Sequence, residues 1–181
     1  HAIFVPRDMG FPSTPRVGIP APYRSQRLGC KGPYMIRRFG ESPEPGRKYT
    51  RRVGVYALLP RSGHLLLTCQ TEPGPDLQLP GGGIDPGESP ATALHREVFE
   101  ETGWLIAAPR RIGAFRRFTY MPEYDLWAEK VCLIYHARPV RRLGPPSEPF
   151  HEALWMHTAD AVETLGNDGD RHFATLHLRG L

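Results

Sequence analysis

The hydrophobic pattern of the chain becomes regular near residue 50. From residue 53 to residue 59 apolar side chains alternate with others, and a second apolar run occupies residues 65–69. The residues between these runs, Arg-Ser-Gly-His at 61–64, favour a turn. Alternation of period two, interrupted by a short glycine-containing turn, is typical of a β-hairpin. The sequence therefore predicts two paired strands at the start of an ordered domain.

A helix is predicted to begin after Ser89 and to end at Gly103. Ser89 is a favourable N-cap, and Pro90 fits the first helical position, where its missing N–H costs nothing. Gly103 suits the left-handed residue that ends many helices. Before this helix, a short strand at residues 77–79 is stopped by Pro80, and we expect the glycine triplet at 81–83 to form a loop.

Further strands are predicted at residues 112–120, 128–137 and 154–156, and the tail from 158 to 178 is predicted to be helical with a break at 166–169. Strands and helices that alternate in this way indicate an α/β domain. Residues 1–50 are rich in Pro, Gly and Arg and lack sustained periodicity. We therefore expect an irregular N-terminal arm at 1–50 and a folded domain at 51–181.

Composition narrows the class of protein. The chain has 181 residues, of which 40% are hydrophobic and 23% charged, which fits one globular core. No apolar run approaches the roughly 20 residues of a membrane helix, and the first residues lack a secretory signal. The three cysteines are widely spaced, which argues against a disulfide framework or a zinc site. We expect a cytoplasmic protein without a membrane partner.

The net charge of +4 is compatible with an anionic partner such as nucleic acid or a polyphosphate. A source genome whose base composition favours arginine codons explains the same excess of positive charge equally well. Charge alone therefore leaves the class of partner open.

Three glutamates in the predicted helix carry the first chemical signal. Glu97, Glu100 and Glu101 are three and four residues apart, so their side chains share one flank of the helix. At about 100° per residue, Glu101 lies only about 20° around the axis from Leu94, which belongs to the apolar stripe. Carboxylates that border a core repel one another, and a bound cation relieves this repulsion. Ligands that are all oxygen favour Mg²⁺ or Mn²⁺ over zinc.

These residues and the preceding glycines resemble the signature of the Nudix (MutT-like) hydrolase family, G-x5-E-x7-R-E-U-x-E-E-x-G-U, in which U is a bulky apolar residue. Every specified position between residues 82 and 104 is filled, by Gly82, Glu88, Arg96, Glu97, Val98, Glu100, Glu101, Gly103 and Trp104. The resemblance implies an α/β/α sandwich with a mixed β-sheet and a glutamate-bearing catalytic helix.

The resemblance also implies a ligand set for the metal. The carbonyl of Gly81 and the carboxylates of Glu97, Glu100 and Glu101 are expected to bind one or more Mg²⁺ or Mn²⁺ ions that hold a pyrophosphate. A water molecule then attacks phosphorus.

Other residues of the motif are expected to support the catalytic groups. Arg96 is expected to orient a neighbouring glutamate, and Glu88 to stabilise the loop and the helix. The family takes its general base either from the motif or from a later loop. Glu100 is our first candidate for the base, and Glu123 and Glu129 are further candidates.

Substrate contacts are expected outside the motif. Tyr120 lies sixteen residues after Trp104, a spacing similar to that of a tyrosine in dinucleoside polyphosphate hydrolases of the family. It is a candidate for stacking on a base, although a place in the core explains an aromatic residue there equally well. Arg116 and Arg117 are adjacent on a predicted strand, so at most one of them faces the cleft. We take Arg116 as the candidate phosphate contact.

The sequence thus predicts a Mg²⁺-dependent pyrophosphohydrolase that cleaves a nucleoside diphosphate linked to another group, for example a (di)nucleoside polyphosphate. Removal of pyrophosphate from RNA 5′ ends is an alternative, with RNA as the substrate. A non-catalytic nucleotide sensor is a third interpretation. The complete motif argues against this third interpretation, because binding alone gives no reason to keep three mutually repelling glutamates. The sequence does not determine the oligomeric state.

Overall fold

A computed structural model describes residues 36–72 and 74–178, except for the side chain of Glu123. The first 35 residues of the predicted N-terminal arm lie outside the described residues. The strands are β1 (Arg37–Arg38), β2 (Thr50–Leu58), β3 (Pro60–Arg61), β4 (His64–Gln70), β5 (Asp76–Gln78), β6 (Gly81–Gly83), β7 (Trp104–Met121), β8 (Leu126–Arg142) and β9 (His151–His157). The helices are α1 (Pro90–Thr102), α2 (Thr158–Thr164) and α3 (Asp168–Leu178), and a 3-10 turn covers Pro122–Tyr124.

The strands form two sheets. The larger sheet has the order β1-β7-β8-β2-β6 and is mixed. The pairs β1–β7 and β8–β2 are parallel, whereas β7–β8 and β2–β6 are antiparallel. In the smaller sheet β4 pairs antiparallel with β3, β5 and β9. This arrangement confirms the predicted α/β class with a mixed sheet. None of the helices in the described residues combines the length and the apolar character that a membrane crossing requires.

Two apolar cores lie on opposite faces of the larger sheet. On one face Val55 and Ala57 of β2 belong to a core that includes Leu94 and Val98 of α1. The alternate residues of β2 enter a second core with α2 and α3, which contributes Phe173. The helices therefore cover both faces of this sheet, as in an α/β/α sandwich.

The predicted hairpin is only partly correct. The turn at Ser62 and Gly63 joins β3 to β4, but β2 lies in the other sheet, between β8 and β6. Residues 54–58 are buried on both faces of the larger sheet, so other elements must pack against each face of this strand. The chain therefore leaves the larger sheet near Pro60 and enters the smaller one.

Helix α1 has the predicted bounds and caps. The Ser89 side chain accepts a hydrogen bond from the backbone N–H of Thr92 at 3.1 Å, and Pro90 opens the helix. Gly103 has a φ of 73° and donates its N–H to the carbonyl of Phe99 at 2.7 Å. The local signals of the sequence thus fix both ends of the helix that bears the glutamates.

The later strands are longer than the apolar pattern predicted. Strands β7 and β8 pair over almost their whole lengths, with shifts of register between Leu105 and Ile106, between Ala107 and Arg110, and between Arg111 and Gly113. Each bulge moves the following side chains relative to the sheet faces and interrupts the alternation by which a strand is recognised. The helical tail has a break, as predicted, but it covers residues 165–167 instead of 166–169, because α2 ends at Thr164 and α3 already begins at Asp168.

Candidate active site

The glycine triplet, which we expected to form a loop, is instead a short strand. Gly81, Gly82 and Gly83 pair antiparallel with residues 54–56 of β2. A Cβ atom at Gly81 would lie 2.0 Å from the carbonyl oxygen of Val55, and one at Gly82 would lie 2.3 Å from Oε2 of Glu97. Residues without side chains are therefore needed for β6 to fit between β2 and α1.

Glu101 is buried at the junction of α1 and β6. Its Oε2 atom accepts a hydrogen bond from the backbone N–H of Gly81 at 2.9 Å. Its Oε1 atom lies 3.4 Å from Nδ1 of His151, which is also 3.0 Å from Oγ1 of Thr68. Only 5% of Glu101 is exposed, and this burial raises the pKa of its carboxyl group well above the ordinary value.

Arg96 joins the remaining acids of the motif. Its Nη1 atom donates to Glu97 at 2.8 Å and to Glu100 at 3.0 Å. Its Nε and Nη2 atoms donate to the two carboxylate oxygens of Glu88 at 3.1 and 2.9 Å, and Nη2 also donates to the carbonyl of Gly83 at 3.1 Å. One guanidinium therefore sets the positions of three carboxylates and touches the glycine strand, which suits an orienting role.

The two ends of this network differ in their electrostatics. The hydrogen bond from Arg96 lowers the pKa of Glu88, which also accepts the N–H of Asp85 at 3.2 Å. Burial raises the pKa of Glu97, although Arg96 opposes this shift. The surroundings of Glu88 thus favour its ionised carboxylate, whereas the surroundings of Glu97 disfavour the ionised form.

Glu148, which sequence reasoning missed, adds a fourth carboxylate. Its loop is tied to the end of α1, because the N–H groups of Ser147 and Glu148 lie 2.8 and 3.1 Å from the carbonyl of Glu100. Ligand atoms of Glu97, Glu100 and Glu148 lie within 4.8 Å of one another. The same holds for Glu101, Glu148 and His151. A single acid in a loop carries no periodic signal, so Glu148 could not be identified from the sequence.

The chemistry of these donors fits a hard divalent cation. Four carboxylates lie in two groups that share Glu148. Two of them, Glu97 and Glu101, adjoin the glycine strand and are buried with raised pKa values. Arg96 supplies only one positive charge against them. Oxygen ligands with excess negative charge are what Mg²⁺ and Mn²⁺ require. The metal role of the Gly81 carbonyl stays a prediction.

Two predicted site residues, Arg116 on β7 and Glu129 on β8, pair with each other. Arg116 forms a salt bridge with Glu129, with 3.1 Å between Nη1 and Oε1. Glu129 is not part of the acidic groupings found among the described residues, and the side chain of Glu123 is not described. Arg117, the neighbour of Arg116, lines a cavity instead.

This cavity has a volume of about 420 Å³ and lies beside the N-terminus of α3. Tyr120 and Trp127 contribute to its wall, with their ring centroids 5.4 Å apart. Tyr120 is 42% exposed and donates its hydroxyl hydrogen to Asp125. The residues that line the cavity include Phe39, Arg117, Phe118, Tyr120, Trp127 and Asn167. Aromatic walls with a few polar groups are typical of a ligand site.

Comparison with known proteins assigns much of the chain to one family model. The model of the NUDIX domain matches residues 48–176. A Bacillus subtilis protein provisionally named 8-oxo-dGTP diphosphatase is 34% identical over 74 residues, which is 41% of this chain and 50% of that protein. An RNA pyrophosphohydrolase of Acidiphilium cryptum is 46% identical over 59 residues, which is 30% of this chain and 35% of that protein. The matches thus span half or less of the length of these relatives.

Solved structures resemble the fold over a larger share of the chain. A NUDIX hydrolase from Nitrosomonas europaea superposes with a TM-score of 0.60 at 19% identity, covering 72% of this chain and 90% of that one. A MutT NUDIX hydrolase from Burkholderia pseudomallei gives a TM-score of 0.55 at 22% identity, covering 70% and 97%. At these identities the resemblance concerns the fold alone.

Proposed function

The chain belongs to the Nudix family, and from this premise we propose that it is a divalent-metal-dependent hydrolase. Its substrate class is a nucleoside diphosphate linked to a further group, and the bond that it cleaves is a phosphoanhydride. The observation that carries the proposal is that Glu148 joins two groups of potential metal ligands, one with Glu97 and Glu100 and the other with Glu101 and His151.

In this proposal the four carboxylates hold Mg²⁺ or Mn²⁺. A bound cation supplies charge neutralisation on the bridging and nonbridging oxygens of the pyrophosphate. Glu101 is fixed from two sides, by the N–H of Gly81 and by His151. Arg96 holds Glu97 and Glu100 at a set distance from each other. The protein thus supplies a charged, preformed site before substrate arrives.

A carboxylate in this site must also accept a proton from the attacking water. We assign this role to Glu100, which is more exposed than Glu97 and Glu101. Glu148 is the alternative, because its loop brings a carboxylate to the same place and is anchored to the carbonyl of Glu100. Glu100→Gln and Glu148→Gln distinguish the two. The variant that lacks the base should lose kcat at saturating metal, whereas loss of a metal ligand should raise the metal concentration needed for half-maximal activity.

The names of the relatives suggest two kinds of substrate. The Bacillus subtilis protein is provisionally named for a modified nucleoside triphosphate, and the Acidiphilium cryptum protein is named for RNA. The cavity beside Tyr120 has the size for a nucleoside, and the exposed aromatic rings near it suit an unpaired base. A small nucleotide is the first proposal, and an RNA 5′ end is the second.

Incubation with a panel of compounds in the presence of Mg²⁺ or Mn²⁺ tests the function. The panel contains nucleoside triphosphates, 8-oxo-dGTP, dinucleoside polyphosphates, ADP-ribose and a short 5′-triphosphate RNA, and the products are identified by chromatography. Cleavage between phosphates is expected, and Glu101→Gln serves as the control for contaminating hydrolases. Absence of any metal-dependent cleavage across the panel would favour a non-catalytic nucleotide sensor.

A further inference from the structure

The start of β7 and the end of β8 carry positive charge without an acidic residue. The two paired segments, residues 104–112 and 134–143, contain five arginines and no aspartate or glutamate. All five are exposed, and none forms a salt bridge within the described part of the chain. By contrast, a carboxylate pairs with each of Arg47, Arg96, Arg116 and Arg171. The five exposed arginines are Arg110, Arg111, Arg138, Arg141 and Arg142.

Three of these arginines share one face of the larger sheet. The β7 partners of Arg138 and Arg141 are two positions apart, so these two arginines point to the same side of the sheet. Arg110 is paired with His136, which precedes Arg138 by two positions and therefore lies on that same face. We call Arg110, Arg138 and Arg141 the arginine patch.

The patch lies on the face of the sheet that α3 covers nearer its middle. Ile134, two positions before His136 on β8, belongs to the same apolar core as Phe173 of α3. At its N-terminus, α3 borders the cavity described above. With a rise of 1.5 Å per residue, the 11 residues of α3 separate the cavity from the patch by about 16 Å.

The surroundings of His136 show that positive charge gathers where α3 ends. The pKa of His136 is lowered by burial and then by the charges of Arg110 and His177. No carboxylate in the described residues opposes this shift. His177 lies in the last turn of α3, beside the arginine patch. The patch is therefore a region of positive potential that no neighbouring acid balances.

The charge of the patch calls for an anionic partner from outside the chain. Residues 1–35 contain five lysine or arginine residues and one acidic residue, so this segment does not supply the complementary charge. Exposed guanidinium groups bind phosphate oxygens through paired N–H donors, and successive phosphates of a nucleic-acid strand engage several such groups at once. A polymer of phosphates thus matches the patch better than a single small anion.

We propose that the arginine patch binds the backbone phosphates of a single-stranded RNA, several nucleotides beyond its 5′ end. This inference rests on the second substrate of the proposed function, because it takes the cavity as the site of the first nucleoside. A strand with one phosphate per roughly 3.4 Å needs about five nucleotides to span the distance of about 16 Å between cavity and patch. An oligonucleotide reaches both places, whereas a mononucleotide reaches only the cavity.

Binding of an RNA that has no phosphoanhydride tests the patch without turnover. The ligand is a 5′-hydroxyl RNA of 12 nucleotides with a fluorescent 3′ label, and binding is followed by anisotropy in EDTA at several salt concentrations. The triple variant with Arg110→Gln, Arg138→Gln and Arg141→Gln should bind about tenfold or more weakly than the parent. The slope of log K against log salt concentration should fall by about 2, because each contact with a single-strand phosphate contributes about 0.7.

A matched triple variant removes three exposed arginines from β1, β2 and β3, with the changes Arg38→Gln, Arg51→Gln and Arg61→Gln. It should retain most of the parental affinity and salt slope. Thermal melts establish that each variant is folded, and Arg138→Gln and Arg141→Gln carry the test singly if the patch variant is unstable. Equal binding of RNA by the two triple variants would overturn the proposal. So would patch-dependent binding of anionic phospholipid vesicles by a protein that does not bind RNA.

Hydrolysis separates the patch from the proposed catalytic site. The patch variant should keep the parental kcat and KM for a nucleoside triphosphate, while KM for a 5′-triphosphate RNA of 12 nucleotides rises by about tenfold. An equal rise for an RNA of three nucleotides would contradict the position given to the patch. A protein that binds RNA through the patch but hydrolyses nothing supports the patch and contradicts the proposed hydrolase. A protein that hydrolyses nucleotides while both triple variants bind RNA alike contradicts the patch alone.

Discussion

A Cβ atom at Gly82 would lie 2.3 Å from Oε2 of Glu97, so strand β6 and the first carboxylate of the metal site leave no room for a side chain between them. A different constraint acts at Gly81. Its φ of 144° is unfavourable for other residues, and an added Cβ would meet the backbone of β2, 2.0 Å from the carbonyl oxygen of Val55. Gly82 therefore leaves space for the flexible Glu97 side chain. Gly81 instead allows the backbone of β6 to pack against the backbone of β2.

Alanine at these two glycines should separate activity from stability. Gly82→Ala should lower kcat by about a hundredfold, because a shift of about 1 Å in a catalytic group has that effect, while the Glu97 side chain turns away at little cost in stability. Gly81→Ala should lower the free energy of unfolding by about 3 kcal/mol or more, because neither its φ nor its backbone overlap is relieved by side-chain rotation. Urea unfolding and hydrolysis rates check both. Near-parental rates for Gly82→Ala would contradict the role given to Glu97.

The part of the site that could be predicted from sequence is the part encoded locally. Ser89 and Gly103 mark the ends of α1 by short-range hydrogen bonds, and the spacing of the glutamates within the helix fixes their common flank. The short strand β6 could not be predicted, because a glycine triplet has no strand propensity of its own. Its conformation comes from pairing with β2, about 27 residues earlier in the chain.

The position of Glu148 and the orientation of the two adjacent arginines also depend on contacts between residues that are distant in sequence. Glu148 is held near the other acids by backbone hydrogen bonds from its loop to the carbonyl of Glu100, which is distant in sequence. The period of a strand shows that Arg116 and Arg117 point to opposite faces, but it does not tell which face carries the cavity. That depends on where α3 packs, which is a property of the whole fold.

Removal of divalent metal should abolish hydrolysis and lower the melting temperature. Four carboxylates repel one another without a cation, and a ligand that binds only the folded state stabilises it. At a Mg²⁺ concentration a hundredfold above Kd, the expected gain is about 2.7 kcal/mol, or a rise in Tm of roughly 5–10 °C. Zn²⁺ should substitute poorly. Activity that survives thorough chelation would exclude the metal mechanism.

Tyr120→Ala should raise KM for the best nucleotide substrate by a factor that corresponds to roughly 1–3 kcal/mol, the range for stacking of an aromatic side chain on a base. Tyr120 lines the cavity and is 42% exposed, so its ring is accessible to a ligand. Tyr120→Phe is the matched control, because it keeps the ring and removes only the hydroxyl that binds Asp125. If both variants retain the parental KM, Tyr120 does not contact the substrate.

The pH dependence of metal-free stability should depend on Glu101. Burial raises the pKa of its carboxyl group in the folded state above the unfolded value, so the folded protein binds this proton more tightly. The contribution of Glu101 to stability is therefore present at acidic pH and is lost as the pH rises from the ordinary carboxyl range through the raised pKa. Glu97, whose pKa is also raised, adds in the same direction.

Glu101→Gln keeps the shape of the side chain and removes the titrating group. Without metal, the variant should fold normally and, near neutral pH, be at least as stable as the parent, because its amide oxygen still accepts the N–H of Gly81 while the repulsion among the carboxylates falls. The difference in Tm between variant and parent should shrink toward acidic pH, where Glu101 is protonated.

Addition of Mg²⁺ should make the parent more stable than Glu101→Gln, since the parent binds the ion more tightly. The rate of hydrolysis should fall by about a hundredfold or more, as expected when charge stabilisation in the transition state is misplaced. Melts of both proteins from pH 5 to pH 8, with and without Mg²⁺, are compared with their rates. A variant that unfolds without metal, or that keeps parental rates, would make Glu101 a structural residue and would place the metal elsewhere.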